Sequence, residues 1–334
     1  MKYLFVLYAL LLGHSLFASL SYPDFIISMT RKKDATEQYK NYLSYDLSQY
    51  QEILEESLHI ENLRFFQNCY KQNIDLAQDS NGLYRIPRIV HQIWLGSKVP
   101  AKYKTWMNSW MNWMGWEYKL WTDEDVEHLS LYNQKLYDQA TNYGEKSDIL
   151  RLELLEQFGG LYVDTDFECI NSDIFNVLNR SFDFYVGFEP SIHGSINHIN
   201  KICNALMASA PNHPLIKNLI VNMEANWLAH NHETAIQKCG PDYLSRSILD
   251  YEKNILVYPA SKERNSEYRN MYLPCSFFYP FSSPEIRKAT SYEDLLSKAA
   301  PETAAIHYWS GSWLPQRNRP DNAPVSSIPS SPYE

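Results

Sequence analysis

The stretch GEKSDILRLELLEQFGGLYVDTDF, residues 144–167, constrains the fold more than any other. Ile149, Leu150, Leu152, Leu154, Leu155 and Phe158 recur at helical spacing and give a broad apolar face. Gly159 and Gly160 can end that helix, because glycine tolerates the left-handed conformation that helix termini adopt. Leu161 to Val163 then reads as a short buried strand, and two acids, Asp164 and Asp166, stand where it ends. In α/β domains, ligands bind at the carboxyl ends of strands.

The rest of the chain repeats the alternation. Strands are expected at Ile89–Trp94 after Pro87, at Tyr118–Trp121, at Phe167–Ile170 and within FDFYVGFEP (182–190). Thr122 with Asp125 resembles a capping box, and the acids of DEDVE suit the first turn of a helix. Helices are expected at 200–209, 213–230 and 242–252, and late strands at NILVYP (254–259) and AAIHYW (304–309). Gly240-Pro241 reads as a turn before a helix. Before this region, Ile53, Leu54, Leu58, Leu63 and Phe66 mark one or two helices within 34–79, closed by an Asn81-Gly82 turn. The expected organisation is a signal peptide or signal anchor (1–19), a helical appendage (20–83), an α/β domain (84–314) and a Pro/Ser-rich tail (315–334).

Lys2 precedes an apolar run from Tyr3 to Leu12, with Ala18 and Ser19 following. That is a secretory signal pattern, too short for a full membrane span, and an uncleaved anchor would associate the chain with a membrane. A buried N-terminal helix is the structural alternative. The net charge of −9 and the lack of a basic run exclude sequence-independent nucleic-acid binding. The 5 cysteines form no CxxC pair, so zinc spacing is absent; one or two disulfides are possible after export. Asn179-Arg180-Ser181 is a glycosylation sequon.

If the backbone stays extended, Tyr162, Asp164 and Asp166 share one face. Two carboxylates on one face repel unless a divalent cation lies between them, and oxygen-rich sites suit Mg²⁺ or Mn²⁺, which bridge to phosphates. D-x-D alone is a weak signal, since acids are common in turns. Asp148 and Arg151, three apart on the preceding helix, form either a surface ion pair or a second arm of the site. The strand after Gly160 returns towards their end of the helix, where arginine can offer its rigid fork to hydroxyls or phosphate.

IPRIVHQIWLG, WEYKLWTD, SDILR with FGGLYVDTD, and the late HYWSGSW together resemble glycosyltransferases with a DXD sugar-binding region (glycosyltransferase family 32). That group includes yeast initiating outer-chain α-mannosyltransferases, bacterial capsule and effector transferases and, distantly, clostridial glucosylating toxins. The resemblance covers roughly residues 84–314. It implies an α/β GT-A fold with a mixed central sheet and retaining transfer from a UDP- or GDP-sugar. It also implies dependence on Mn²⁺ or Mg²⁺. By motif, Asp148, Arg151, Asp164 and Asp166 would be the catalytic set. Asp164 would hold the ribose or sugar and the metal, and Asp166 the metal directly. Asp148 and Arg151 would hold sugar hydroxyls, Tyr162 would line the donor pocket, and Trp94 would approach the base or ribose. In the closing segment, His307 would be the third metal ligand, Ser310 and Ser312 would donate to a phosphate, and Trp313 would cover the donor. His91 is either a pocket residue or a bonded core histidine. Cys239 stands where the family has threonine before Gly-Pro, which weakens any role there. Asn204, Asn212 and His213 fall in an acceptor-side region, and Glu189 could lie near the sugar.

The acceptor would be a glycan, lipid-linked or protein hydroxyl. A metal-dependent glycoside or phosphoester hydrolase is the first alternative, although carboxylates one residue apart poorly match a glycosidase pair. A non-catalytic sugar-binding protein is the second. A nucleotide-sugar enzyme with an export signal fits a Golgi lumen, or a secreted or inner-membrane bacterial protein.

Overall fold

A computed structural model describes residues 22–30, 51–77, 83–257 and 268–311. The expected signal segment, the Asn81-Gly82 turn, Ser312, Trp313 and the tail lie outside these residues. Among the described residues two helices come first, α1 (Phe25–Thr30) and α2 (Gln51–Ala77). The remaining main elements are β1 (Ile89–Ile93), α3 (Ala101–Asn108), β2 (Glu117–Trp121), α4 (Tyr143–Phe158), β3 (Gly160–Val163) and β4 (Phe167–Cys169). They continue with α5 (Ser172–Ser181), β5 (Phe184–Phe188), the hairpin β6 (Ser195–Ile196) and β7 (Ile199–Asn200), and β8 (Ile202–Ser209). The chain then forms α6 (Pro214–Ala229), α7 (Pro241–Val257), β9 (Asn270–Leu273), α8 (Ser283–Lys288) and β10 (Ala305–His307).

The central sheet is mixed, in the order β2-β1-β3-β8-β5-β9. β8 runs antiparallel to both of its neighbours, and the other five strands run parallel to one another. The carboxyl ends of β1, β3 and β5 therefore share one edge with the start of β8. β3, β5 and β8 are buried on both faces, which explains their continuous apolar runs. For this reason the helix expected at 200–209 is β8: a fully buried apolar run reads alike in either state. The late strand expected at NILVYP is, from 254 to 257, the last turn of α7, and 258–259 lie outside the described residues. The short strand β9 carries no alternation that marks it in sequence.

Gly159 caps α4 at φ 64° and Gly160 follows at φ 100°. A Cβ on Gly160 would meet the Ile89 carbonyl oxygen at 2.7 Å, so this position also needs glycine for close approach to β1. Thr122 and Asp125 form the expected capping box. The N-terminal helices share the main core: Phe66 packs edge-on against Phe188 and Tyr272, and Phe25 against Phe188. All five cysteines are free. Asn179 is fully buried, with its amide on the Ile86 and Pro87 carbonyls, so the sequon is closed to modification in the folded chain.

Candidate active site

β3 stops at Val163, and Asp164–Phe167 form a turn closed by the Phe167 amide on the Asp164 carbonyl at 3.2 Å. The two acids thus converge through a turn and not, as an extended backbone would require, along one strand face. β10 lies antiparallel to β4 with His307 opposite Phe167, and the two rings stack at 4.4 Å. This register brings His307 Nε2 to 3.2 Å from Asp166 Oδ1. The Ser310 amide donates to the other oxygen of Asp166 at 2.8 Å. Burial alone would push the Asp166 carboxyl up, but the His307 ring and the Ser310 amide hold it down at about 2. Between them, Trp309 adopts φ 53°, a left-handed conformation unusual for an aromatic residue, which turns the Ser310 amide back to the carboxylate.

Asp164, Asp166 and His307 each offer a ligand atom, all within 4.8 Å of one another. Carboxylate oxygens with one imidazole suit Mn²⁺ well, and the carboxylates suit Mg²⁺. His307 Nδ1 is buried without a hydrogen-bond partner among the described residues, so Nε2 is the nitrogen that faces the acids. The donor set fits a divalent cation.

The other arm comes from α4. Arg151 reaches Asp148 at 2.9 Å and Asp164 at 3.2 Å, and it also donates to the Ser147 and Asn204 carbonyls. The expectation that Arg151 grips sugar hydroxyls meets a guanidinium already engaged with four protein partners. Its immediate effect is to hold two carboxylates in place. Asp148 also accepts from the Asn204 amide at 2.8 Å and from the Cys239 thiol at 3.6 Å. Burial raises the Asp148 carboxyl to about 6, and Asp164 adds to the rise against the pull of Arg151. Burial likewise raises Asp164, which accepts the Tyr162 hydroxyl at 2.6 Å.

A register break in β8 makes this possible. Val186 pairs with Met207, but the next β5 residue, Gly187, pairs with Cys203, so the ladder on that side skips Asn204 to Leu206. Such irregularities re-aim side chains. Here Asn204 reaches Asp148 and Arg151, and the Ala205 carbonyl takes the Asp164 amide at 2.8 Å.

These groups line one cavity of about 830 Å³. Trp94, packed on Tyr103 at 4.7 Å, forms the wall at the end of β1. Glu189, His193, Lys201 and Trp309 line it as well, with Glu189 following β5, which β3 and β8 separate from β1 in the sheet. The Ser310 hydroxyl accepts from Tyr103 at 3.2 Å. Of the acceptor-side candidates, Asn204 lines the cavity. His213 is fully buried and instead caps α6 through the Leu215 amide, and Asn212 occupies a left-handed turn bonded to Glu156. His91 is a core histidine: Nε2 donates to the Gly159 carbonyl at 2.8 Å, Nδ1 accepts from Trp121, and burial lowers it to about 4. Sequence reasoning missed Tyr103, His193, Trp309 and Tyr279. Only their proximity in HYW or to GFEP hinted at two of them.

Residues 97–183 match the family model described as glycosyltransferase sugar-binding region containing DXD motif, so the turn with Asp164 and Asp166 lies in that region. The chain is 25% identical over 195 residues to inositol phosphoceramide mannosyltransferase 1 of Schizosaccharomyces pombe, covering 53% of this chain and 56% of that protein. It is 24% identical over 187 residues to subversion of eukaryotic traffic protein A of Legionella pneumophila, covering 46% of this chain and 28% of that one. The chain spans about half the length of the yeast relatives it matches. PaToxG glycosyltransferase overlaps at a TM-score of 0.39 and 17% identity, over 64% of this chain and 84% of that one. The chain thus resembles DXD-containing glycosyltransferases, with mannosyltransferases among its relatives.

Proposed function

We propose that this chain, carrying a glycosyltransferase DXD region, is a metal-dependent retaining transferase of GT-A type. It would move a hexose from a UDP- or GDP-sugar to a hydroxyl of a glycan, lipid-linked or protein acceptor. The observation that carries the reading is the convergence of Asp164, Asp166 and His307 beside the Asp148–Arg151 pair in one large cavity. An isolated D-x-D turn would not need a buried arginine and a second acid behind it.

In this reading Asp166 and His307 hold Mn²⁺ or Mg²⁺, and Asp164 holds the ion and the ribose or sugar. When bound, the ion neutralises charge developing on the departing diphosphate. Asp148 presents an acceptor oxygen to sugar hydroxyls, and Arg151 fixes both carboxylates so that no reorganisation is needed during reaction. Trp94 and Tyr103 offer an aromatic wall to the nucleotide, and Tyr162 packs beneath Arg151 at 4.5 Å. Ser310 adds a hydroxyl donor; Ser312 and Trp313 would complete the cover and exclude water. The signal-like N-terminus supports placement in the secretory pathway or export. Among the described residues no helix is long and apolar enough to cross a membrane.

The test is a screen of UDP- and GDP-sugars with Mn²⁺, scoring transfer and donor hydrolysis separately, with Asp166→Ala as control. A donor that is consumed by the wild type and at least about a hundredfold more slowly by the variant supports the reading. Equal rates in both, or release of sugar from simple glycosides without a nucleotide donor, would remove it.

A further inference from the structure

We infer that Glu189, aimed by His193, receives the acceptor: its carboxylate takes the hydrogen bond of a sugar or polyol hydroxyl at the far end of the cavity from the nucleotide. The inference rests on the transferase reading above and assigns the half of the cavity that the DXD machinery leaves unexplained.

Glu189 follows β5 directly, and its amide is fixed on the Lys201 carbonyl at 2.7 Å. The side chain lines the cavity yet is only 7% exposed, a carboxylate kept from bulk water. Burying such a group without partners is costly, so its donors define its purpose. His193, four residues on, places Nδ1 at 2.9 Å from the carboxylate. The ring is itself held, because its Nε2 accepts the Ser283 amide at 3.2 Å. With Nε2 accepting, the ring proton sits on Nδ1 and is donated to Glu189. A carboxylate has about four acceptor positions, so the His193 donor leaves capacity for a ligand hydroxyl. A structural ion pair would need no cavity face; this group has one.

The sheet places the group at a useful distance. Asp164 and Glu189 follow β3 and β5, which are separated by β8 alone. Two strand spacings are about 10 Å. The backbones that carry the two acids thus stand apart along the sheet edge, Asp164 at the metal triad and Glu189 on the other side of β8. Trp309 lies between the two ends, 4.1 Å from the His307 ring and 4.5 Å from the His193 ring. Its indole N–H is tied to the Phe281 carbonyl at 2.9 Å, so it forms a fixed wall along which donor and acceptor sugars can meet. Lys201, paired with Asp242 at 3.1 Å, borders the same end.

The experiment uses the full chain with Mn²⁺ and the donor found by the screen, and offers methyl α-mannopyranoside, methyl α-glucopyranoside and myo-inositol as acceptor probes. Four variants are compared: Glu189→Gln, Glu189→Asp, His193→Phe and His193→Gln. The expected result for Glu189→Gln is at least a tenfold rise in the acceptor KM and a matching fall in the ratio of transfer to hydrolysis. The donor Kd should stay within about twofold, since the change is remote from the metal triad. Glu189→Asp should show an intermediate defect. His193→Phe removes the orienting donor and should raise the acceptor KM severalfold, while His193→Gln, which keeps an N–H donor, should recover most of it. A purely structural role would not separate the two histidine variants or spare the donor Kd. An unchanged acceptor KM in Glu189→Gln overturns the inference, as does a donor Kd that rises in step with it. Transfer by the wild type to none of the three probes overturns it too. Failure of the wild type to bind any nucleotide sugar would instead remove the transferase reading, and this inference with it.

Discussion

The Tyr279 hydroxyl completes the sheet where Leu206 loses its β5 partner: it accepts the Leu206 amide at 3.1 Å and lies 3.3 Å from the Cys203 carbonyl, to which it donates. Gly187 admits the ring, since a Cβ there would meet Tyr279 Cε2 at 3.0 Å. The break that delivers Asn204 to the site is thus plugged by one side chain from beyond β9.

Tyr279→Phe keeps the ring and removes the plug. It leaves the buried Leu206 amide without the hydroxyl that accepts it, which costs about 1–3 kcal/mol. The expected outcome is a lower denaturation midpoint with an unchanged slope. Native-state hydrogen exchange at Leu206 should accelerate, and donor binding should weaken severalfold because Asn204 loses its fixed position. Unchanged exchange at Leu206 would show that the hydroxyl is not the plug.

Gly160 allows a backbone test. Alanine there must adopt φ 100° and place its Cβ 2.7 Å from the Ile89 carbonyl oxygen. Positive φ and a backbone clash together cost at least about 2 kcal/mol. Gly160→Ala should lower the melting temperature well beyond an alanine change at Gly194, whose added Cβ meets nothing within 4 Å although its φ is also positive, at 85°. The difference between the two variants isolates the clash from the conformational term.

The metal triad makes a prediction that needs no substrate. Mn²⁺ at about a hundred times its Kd should stabilise the protein by about 2.7 kcal/mol, about 5 °C in melting temperature, and chelation should reverse it. Asp166→Ala should abolish the shift. His307→Gln should reduce it, because an amide oxygen replaces the imidazole nitrogen. A full Mn²⁺ shift in Asp166→Ala would place the ion elsewhere.

Much of this site was legible in the chain because its parts are local. The α4 periodicity, the Gly-Gly stop and the two acids lie within 24 residues, and helix geometry alone puts Asp148 beside Arg151. HYW announced itself through its histidine. What sequence could not give is long-range register. His307 meets Asp166 only because β10 pairs with β4, across 141 positions of chain. Likewise β8 hid behind an apolar run that reads equally as helix, and with it went the break that makes Asn204 and Tyr279 functional neighbours. Glu189 was visible as an acid after a strand, but its partner His193 is fixed by the Ser283 amide, 90 positions away.

The acids behind the triad predict a pH effect whose sign is fixed. Asp148 and Asp164 share one guanidinium, and burial disfavours charging both, so the Asp148 carboxyl sits at about 6 against an ordinary 3.8. A raised carboxyl means that folding favours the neutral form. Its stabilising contribution is full below about 3.8 and is lost as the pH rises through about 6. The shift corresponds to about 3 kcal/mol at most. In metal-free protein, Asp148→Asn mimics the neutral acid, so at pH 7.5 the variant should be more stable than the wild type by about 1–3 kcal/mol. The gap should close as the pH falls below 4. Denaturant melts at pH 4, 6 and 7.5 measure it. A bound divalent cation offsets the charge of Asp164 and so favours ionised Asp148. Mn²⁺ binding at pH 6 should therefore release protons from the wild type, and fewer from Asp148→Asn. Calorimetry in two buffers of different ionisation enthalpy reads that difference directly. Equal proton release from both would mean that Asp148 is already ionised in the metal-free site and that Arg151 alone balances the pair.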